Sequence, residues 1–266
     1  MYQGYFGLKE RPFGKTPDPR FLFLSRGHEE ALARLEYAVE EREIALLTGG
    51  VGCGKTTLSR ALMDRCGSAY HFVLIFNPRM GALEFLRTVA HGLDVAEPAR
   101  SKDDLLRQIT GVLYQMHRNG TLPVLVIDEA QAITELELFD EIRLLTNYQL
   151  DQHNLLSVLI MGQPELRDLL RYQPMEPLRQ RIALHFHLQP LSLEETMEYL
   201  DFRLLAAGGS PGLFTPDAVQ AVYELSGGVP RRINAIATNA LLVAYGNDAA
   251  VVDAAIIQEV RDEVTL

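Results

Sequence analysis

Gly49-Gly50-Val51-Gly52-Cys53-Gly54-Lys55-Thr56 is the stretch from which the rest of the chain is read. It fits the spacing Gly-x-x-x-x-Gly-Lys-[Ser/Thr]. Glycines at these positions let backbone N–H groups close around phosphate oxygens, and a helix starting just after them adds partial positive charge. Glu43–Thr48 reads as a short buried strand ahead of the loop, and Thr57–Cys66 as a helix behind it. Lys55 is placed to reach β- and γ-phosphates, and Thr56 to hold Mg²⁺ through its hydroxyl. The bland alternative is a glycine-rich turn that binds nothing.

A second stretch argues against that alternative. Val124-Leu-Val-Ile-Asp128-Glu129 puts four apolar residues before two carboxylates. Such a run predicts a strand buried on both faces, as in a parallel sheet, and open α/β sheets bind ligands at the C-terminal ends of their strands. Asp128 is the expected partner of Mg²⁺, and Glu129 the expected base that polarises an attacking water. A helix N-cap, opening onto Ala130-Gln131, is the structural reading of the same pair.

Phosphoryl transfer needs positioning and positive charge more than covalent help. Leu155–Met161 is another buried-strand pattern. It runs into Gly162-Gln163-Pro164-Glu165, which brings Gln163 beside a γ-phosphate if this strand neighbours that of Asp128. Pro177-Leu-Arg179-Gln-Arg181 precedes a strand over 182–188, and Gly227-Gly-Val-Pro230-Arg231-Arg232 opens a late helix. Each arginine alone reads as a solvated surface residue; their position at element boundaries is what makes them candidates.

The remaining pattern predicts a helix over 28–41, a strand over 69–76, helices over 82–93, 102–116 and 135–148, and, after Leu191, helices alone: 193–207, 216–226, 231–245 and 253–263. Ser192 with Glu195 has the form of a capping box. Alternating strands and helices followed by helices alone predict an α/β fold: a doubly wound parallel five-stranded sheet of the P-loop NTPase type with a C-terminal all-helical lid. The expected division is an irregular segment over 1–27 packing on the core through its aromatics, a nucleotide-binding core over 28–190, and a lid over 191–266. At 266 residues with 47% hydrophobic and 23% charged residues the chain suits such a globular protein.

No run of 18 apolar residues predicts a membrane span, and the N-terminus lacks the pattern of a secretory signal. Two cysteines, Cys53 and Cys66, lack metal-ligand spacing, and a nucleotide-using protein of this composition is expected in reducing cytosol. The net charge is −10, of which the residues from Leu191 onward, with 11 acidic and 4 basic, carry −7. That excludes a basic field over the whole molecule, though not a local basic stripe on the core. His185 and His187 read as one polar strand face rather than a metal site. Asn77-Pro78-Arg79-Met80 reads as a strand–helix turn, with a loop into the centre of a ring as the alternative. Glu135, Glu137, Asp140 and Glu141 read as a solvated helix face.

Taken together, these motifs resemble AAA+ ATPases and, more narrowly, the general secretion pathway protein A family. The narrower likeness rests on Tyr5-Phe-Gly-Leu-Lys-Glu-Arg-Pro-Phe13 with Thr16-Pro-Asp-Pro-Arg-Phe21, on Gly49 to Thr57, on Val126-Ile-Asp-Glu-Ala-Gln131, on Gly162-Gln-Pro-Glu-Leu166 and on Gly228-Val-Pro-Arg-Arg-Ile-Asn234. The resemblance implies ATP and Mg²⁺ as ligands, Gly49, Gly50, Val51, Gly52, Cys53, Gly54, Lys55, Thr56 and Thr57 as nucleotide-binding, and His28 with the N-terminal segment on the adenine side. It implies Gln163 as first sensor, Arg181 as a finger reaching a neighbouring subunit, and Arg231 as lid sensor, with Arg179 and Arg232 as their rivals. It also implies a homo-oligomer, a ring or filament, that drives or regulates assembly of a bacterial secretion or pilus system, at the inner face of the membrane through a partner or a further C-terminal region. Two alternatives stand beside it: an ATP-dependent DNA-binding regulator of the transposition type, and a slow ATP-dependent protein-binding switch.

Overall fold

The structure is a computed structural model and describes residues 2–14, 18–150 and 153–264. Thr16 and Pro17, part of the N-terminal stretch quoted above, lie outside them. In chain order the elements are α1 (Tyr2–Tyr5), α2 (Arg26–Glu40), β1 (Ile44–Gly49), α3 (Lys55–Cys66), β2 (Tyr70–Ile75), α4 (Ala82–Gly92), α5 (Lys102–Arg118), β3 (Leu122–Ile127), α6 (Leu136–Leu145), β4 (Gln149–Leu150), β5 (His153–Asn154), β6 (Ser157–Gly162), α7 (Glu165–Arg171), α8 (Glu176–Arg179), β7 (Ile182–Leu188), α9 (Leu193–Ala206), α10 (Pro216–Ser226), α11 (Pro230–Gly246) and α12 (Ala254–Val264).

The chain divides into two compact units. One holds the described residues up to Gly27, Gly50–Thr57 and those from Gln189 onward; the other holds His28–Gly49 and Leu58–Leu188. In the second unit five parallel strands lie in the order β2-β3-β6-β1-β7. Adjacent strand residues point to opposite faces. Ile44 and Leu46, Val73 and Ile75, Leu125 and Ile127, and Val158 and Ile160 join one cluster with Phe85, Leu86, Ile109, Phe139 and Ile142 of α4, α5 and α6. Their alternates Ala45, Leu47, Val124, Val126, Leu159 and Met161 are buried as well. Burial on both faces is why β1, β3 and β6 are unbroken apolar runs in sequence.

Three local expectations change here. The helix expected over 135–148 ends at Leu145, and a two-residue antiparallel pairing of β4 with β5 follows. The short helices α7 and α8 fill the segment before β7, where no helix was expected. Glu141 does not belong to a solvated face. It is buried and accepts a hydrogen bond from Lys102 Nζ at the start of α5, while Asp140, beside it, is exposed. The error has a plain cause: Glu141 shares a helix face with Leu138 and Leu145, three and four residues away, both fully buried.

The other unit has its own core. Tyr199, Leu200 and Leu204 of α9, Val222 of α10, Ile233, Ile236 and Leu241 of α11, and Ile257 and Val260 of α12 form one cluster. The capping box opens α9 as expected, with Ser192 accepting from Glu195 N–H and Glu195 from Ser192 N–H. The N-terminal aromatics were expected on the nucleotide core; instead Tyr2, Leu8, Phe13 and Phe21 bury themselves in this helical cluster. The reason is Arg203, a buried residue of α9. Its guanidinium donates to the carbonyls of Pro12 (2.6 Å) and Gly14 (3.3 Å) and stacks on the Phe21 ring at 4.8 Å. Loss of water pulls the Arg203 pKa below its ordinary value, and these carbonyls and the ring stand in for the lost hydration. Burial likewise pushes the neighbouring Tyr199 phenol up.

Candidate functional site

One group of candidate residues lies in the loop between β1 and α3. Gly52 and Gly54 have φ of +83° and +102°, which side chains with a Cβ rarely adopt. Cys53 N–H donates to the Gly50 carbonyl at 3.3 Å, and Lys55 Nζ donates back to the same carbonyl at 3.1 Å. Lys55 and Cys53 are both buried. Burial raises the Cys53 thiol pKa, against a smaller pull from Lys55, so Cys53 is a small packing residue rather than a nucleophile. The helix starts at Lys55, two residues earlier than expected, so its first turn belongs to the loop motif itself.

The loop lies against the start of α11. A Cβ on Gly52 would come within 2.6 Å of Arg231 Cβ and 3.2 Å of Val229 Cγ1, and Arg231 N–H points at the Gly52 carbonyl at 3.4 Å. The turn before α11 is fixed in its own way. Gly227 and Gly228 both have positive φ, and a Cβ on Gly228 would sit 2.0 Å from the Leu191 carbonyl oxygen. Pro230 then occupies the first turn of α11, where its missing N–H costs nothing. Arg232 donates to the Leu225 carbonyl at 2.6 Å. Of the two candidate arginines, Arg231 is therefore the one against the loop, and Arg232 is spent on the preceding helix.

A second group of candidate residues gathers at the C-terminal ends of β3 and β6. Asp128 is buried; its N–H donates to the Ile75 carbonyl (2.8 Å) and its Oδ1 accepts Glu129 N–H (2.9 Å). Glu129 has φ +54° and ψ +37°, a left-handed conformation that costs a non-glycine residue on the order of 1–3 kcal/mol. Its side chain makes no N-cap hydrogen bond, so the helix-cap reading of the Asp-Glu pair does not describe Glu129. Glu129 Oε2 instead accepts from Gln131 Nε2 and from Gln163 Nε2, the latter at 3.1 Å. Gln131 Oε1 in turn accepts the backbone N–H of Gln163 at 2.9 Å.

Glu129 and Gln163 are thus brought together as expected from their strands. Gln131 is the residue that sequence reasoning missed as part of the site. No spacing marks it; the room for its amide comes from Gly162, where a Cβ would lie 2.7 Å from Gln131 Oε1 and 2.6 Å from Leu166 Cδ2. Thr48, the next-to-last residue of β1, is buried and paired with His187 Nδ1 at 2.9 Å, so His187 braces the strand that feeds the loop. His28 is buried in the first turn of α2. Arg181 donates to Thr146 Oγ1 at 3.0 Å. Its rival Arg179 pairs with Glu176 and reaches the Arg171 carbonyl at 3.3 Å, a role inside the α7–α8 segment.

A hydroxyl such as that of Thr56 and a carboxylate such as that of Asp128 are each of the donor type that Mg²⁺ takes, and backbone amides of a glycine-rich loop are of the type that phosphates take. Among the described residues no group of three histidine, cysteine or carboxylate side chains is arranged to hold a metal by itself, and no helix is long and apolar enough to cross a membrane.

Residues 38–170, half of the chain, match the AAA domain family. The chain belongs to that family. It is 38% identical over 254 residues to general secretion pathway protein A of Aeromonas hydrophila; the match takes in 92% of this chain and 45% of that relative, so the chain spans less than half of its length. Among solved structures, the ORC2 protein of Aeropyrum pernix, described as ADPNP and ADP complexes, shares 16% identity at a TM-score of 0.69, covering 96% of this chain and 72% of its own. Cdc6p of Pyrobaculum aerophilum shares 18% at 0.65, covering 89% and 68%. These likenesses show the AAA+ P-loop NTPase fold: a five-stranded parallel sheet with helices.

Proposed function

We propose that this AAA protein binds ATP with Mg²⁺ and hydrolyses it to ADP and phosphate, with Glu129 as the base. The observation that carries this reading is the Glu129 carboxylate, held in a strained turn by two amide donors at the C-terminal end of a buried parallel strand. β6 lies between β3 and β1 in the sheet, so Gln163 follows the strand between that of Glu129 and the one that feeds the phosphate loop.

In this reading the amides of Gly50–Thr56 and the Lys55 ammonium take the phosphates, and Thr56 and Asp128 hold the cation. Bound Mg²⁺ supplies neutralisation of charge on the β- and γ-phosphates. Glu129 takes a proton from water as its oxygen bonds to the γ-phosphorus, and the bond to the bridging oxygen breaks to leave ADP. The Gln163 amide has two N–H groups; one meets Glu129, and the second is the one a γ-phosphate oxygen would take. Arg231, at the loop, acts as the lid sensor. Arg181 acts as the finger toward a neighbouring subunit in a homo-oligomer, with His28 on the adenine side.

The likeness to general secretion pathway protein A supports assembly of a secretion system as the use of that hydrolysis. Turnover of ATP by the wild-type and Glu129→Gln proteins, with Mg²⁺ and with a chelator, tests the enzymatic reading. Hydrolysis that persists unchanged under chelation, or in Glu129→Gln, rejects it.

A further inference from the structure

The side-chain amide of Gln131 has no freedom of orientation. Its Oε1 lies 2.9 Å from the backbone N–H of Gln163, which can only donate. The oxygen must therefore face that N–H, and the NH₂ group must face Glu129 Oε2, which can only accept while ionised. Both ends of one amide are thus engaged, one on each side of the β3–β6 strand pair. The backbone makes room for this arrangement: Gly162 leaves space that any Cβ would take from Gln131 Oε1 and Leu166. Glu129 meanwhile sits in the left-handed region, a conformation that persists only where the surroundings hold it.

We infer that Gln131 is a positioning residue for hydrolysis, tying the Glu129 carboxylate to the backbone of Gln163 so that the base and the residue after the neighbouring strand act as one unit. The inference rests on the reading of Glu129 as the base. It goes beyond that reading because the two functions of the amide separate chemically. The Gln163 bond is a structural pin between strands, which any side-chain acceptor can make. The Glu129 bond needs a donor, stabilises the ionised carboxylate and aims it.

Gln131→Glu separates them, because it keeps an oxygen for Gln163 N–H and replaces the donor with a second carboxylate. Gln131→Leu removes both. The readouts are kcat and KM for ATP and thermal melting of each variant. We expect kcat to fall by up to about 100-fold in both, the cost of a reacting group displaced by about 1 Å, with KM changed less than about twofold and Gln131→Glu melting close to wild type. Asp128 keeps its own partner, the Glu129 N–H, in every variant.

Wild-type kcat in Gln131→Glu while Glu129→Gln is inactive, or losses in both variants that lie in KM and Tm rather than in kcat, overturn the role of Gln131 alone. Wild-type turnover in Glu129→Gln overturns the base reading and the hydrolytic role of Gln131 with it.

Discussion

The loop at Gly50–Lys55 and the turn at Asp128–Gln131 both present ligand groups after a buried strand, but they are built from different parts. The loop works through backbone. Its two positive-φ glycines, its amides and the Gly50 carbonyl shared by Cys53 and Lys55 define its shape, and Arg231 lies against Gly52 where a Cβ would be. The Asp128–Gln131 turn works through side chains. Glu129, Gln131 and Gln163 make a closed set of hydrogen bonds across two strands, and the glycine that matters, Gly162, serves to admit a side chain. A backbone device should fail in binding when it is disturbed; a side-chain device should fail in chemistry.

Three substitutions test that contrast directly, from the largest effect to the smallest. Glu129→Gln should lower kcat by about 10²- to 10⁴-fold, the contribution of a general base, and leave ATP affinity nearly intact. Gly52→Val should do the reverse in kind, since a β-branched residue at φ +83° with its Cβ on Arg231 costs on the order of 1–3 kcal/mol of strain. Loss of ATP binding by calorimetry and a lowered Tm are the expected readouts; tight ATP binding by Gly52→Val would remove the backbone account of the loop. Gly162→Ala, by contrast, should lower kcat while ATP still binds, because its Cβ displaces Gln131 and not a phosphate contact. If it lost ATP binding instead, the two regions would not differ as described.

The arginines sharpen the comparison at a finer scale. Arg231→Ala should weaken ATP-dependent activity about tenfold, the value of one charge-assisted contact, whereas Arg232→Ala removes a bond to the Leu225 carbonyl and should shift only Tm. Equal losses of activity in both would return the lid sensor to an open choice. The smallest effect lies far from either region, at the start of α10. The Thr215 hydroxyl and the amides of Asp217, Ala218 and Ala254 hold Asp217 below the usual carboxylate range. A carboxyl depressed in the folded state contributes stability above its unfolded pKa, and that contribution is lost as pH falls through the folded value. Asp217→Asn should therefore lower Tm slightly at neutral pH and flatten its fall below about pH 4, where the two proteins converge.

The same contrast explains what could be read without the structure. The loop was legible because its chemistry requires glycines, a lysine and a hydroxyl at fixed spacing in one stretch. The sheet was legible because strands buried on both faces have no polar alternation to hide them. Gln131 was not legible as a site residue, because its partners are set by the pairing of β3 with β6 and not by spacing. Glu141 was misread for a related reason: a carboxylate beside Glu137 and Asp140 gives no sign that it shares the buried face of Leu138 and Leu145 or that Lys102, 39 residues earlier, reaches it. The N-terminal aromatics announced that they pack somewhere, but the choice of the helical cluster depends on Arg203, whose neighbours in sequence give no hint of three backbone carbonyls waiting for it.

The most direct test of the central claim is a single-turnover measurement of phosphate release from ATP with Mg²⁺, run on the wild-type and Glu129→Gln proteins with ATP binding followed separately. The account predicts release by the wild type, and binding within about threefold but release at least about 100-fold slower in Glu129→Gln. Equal release by the two proteins, or a wild type that binds no ATP, would contradict it.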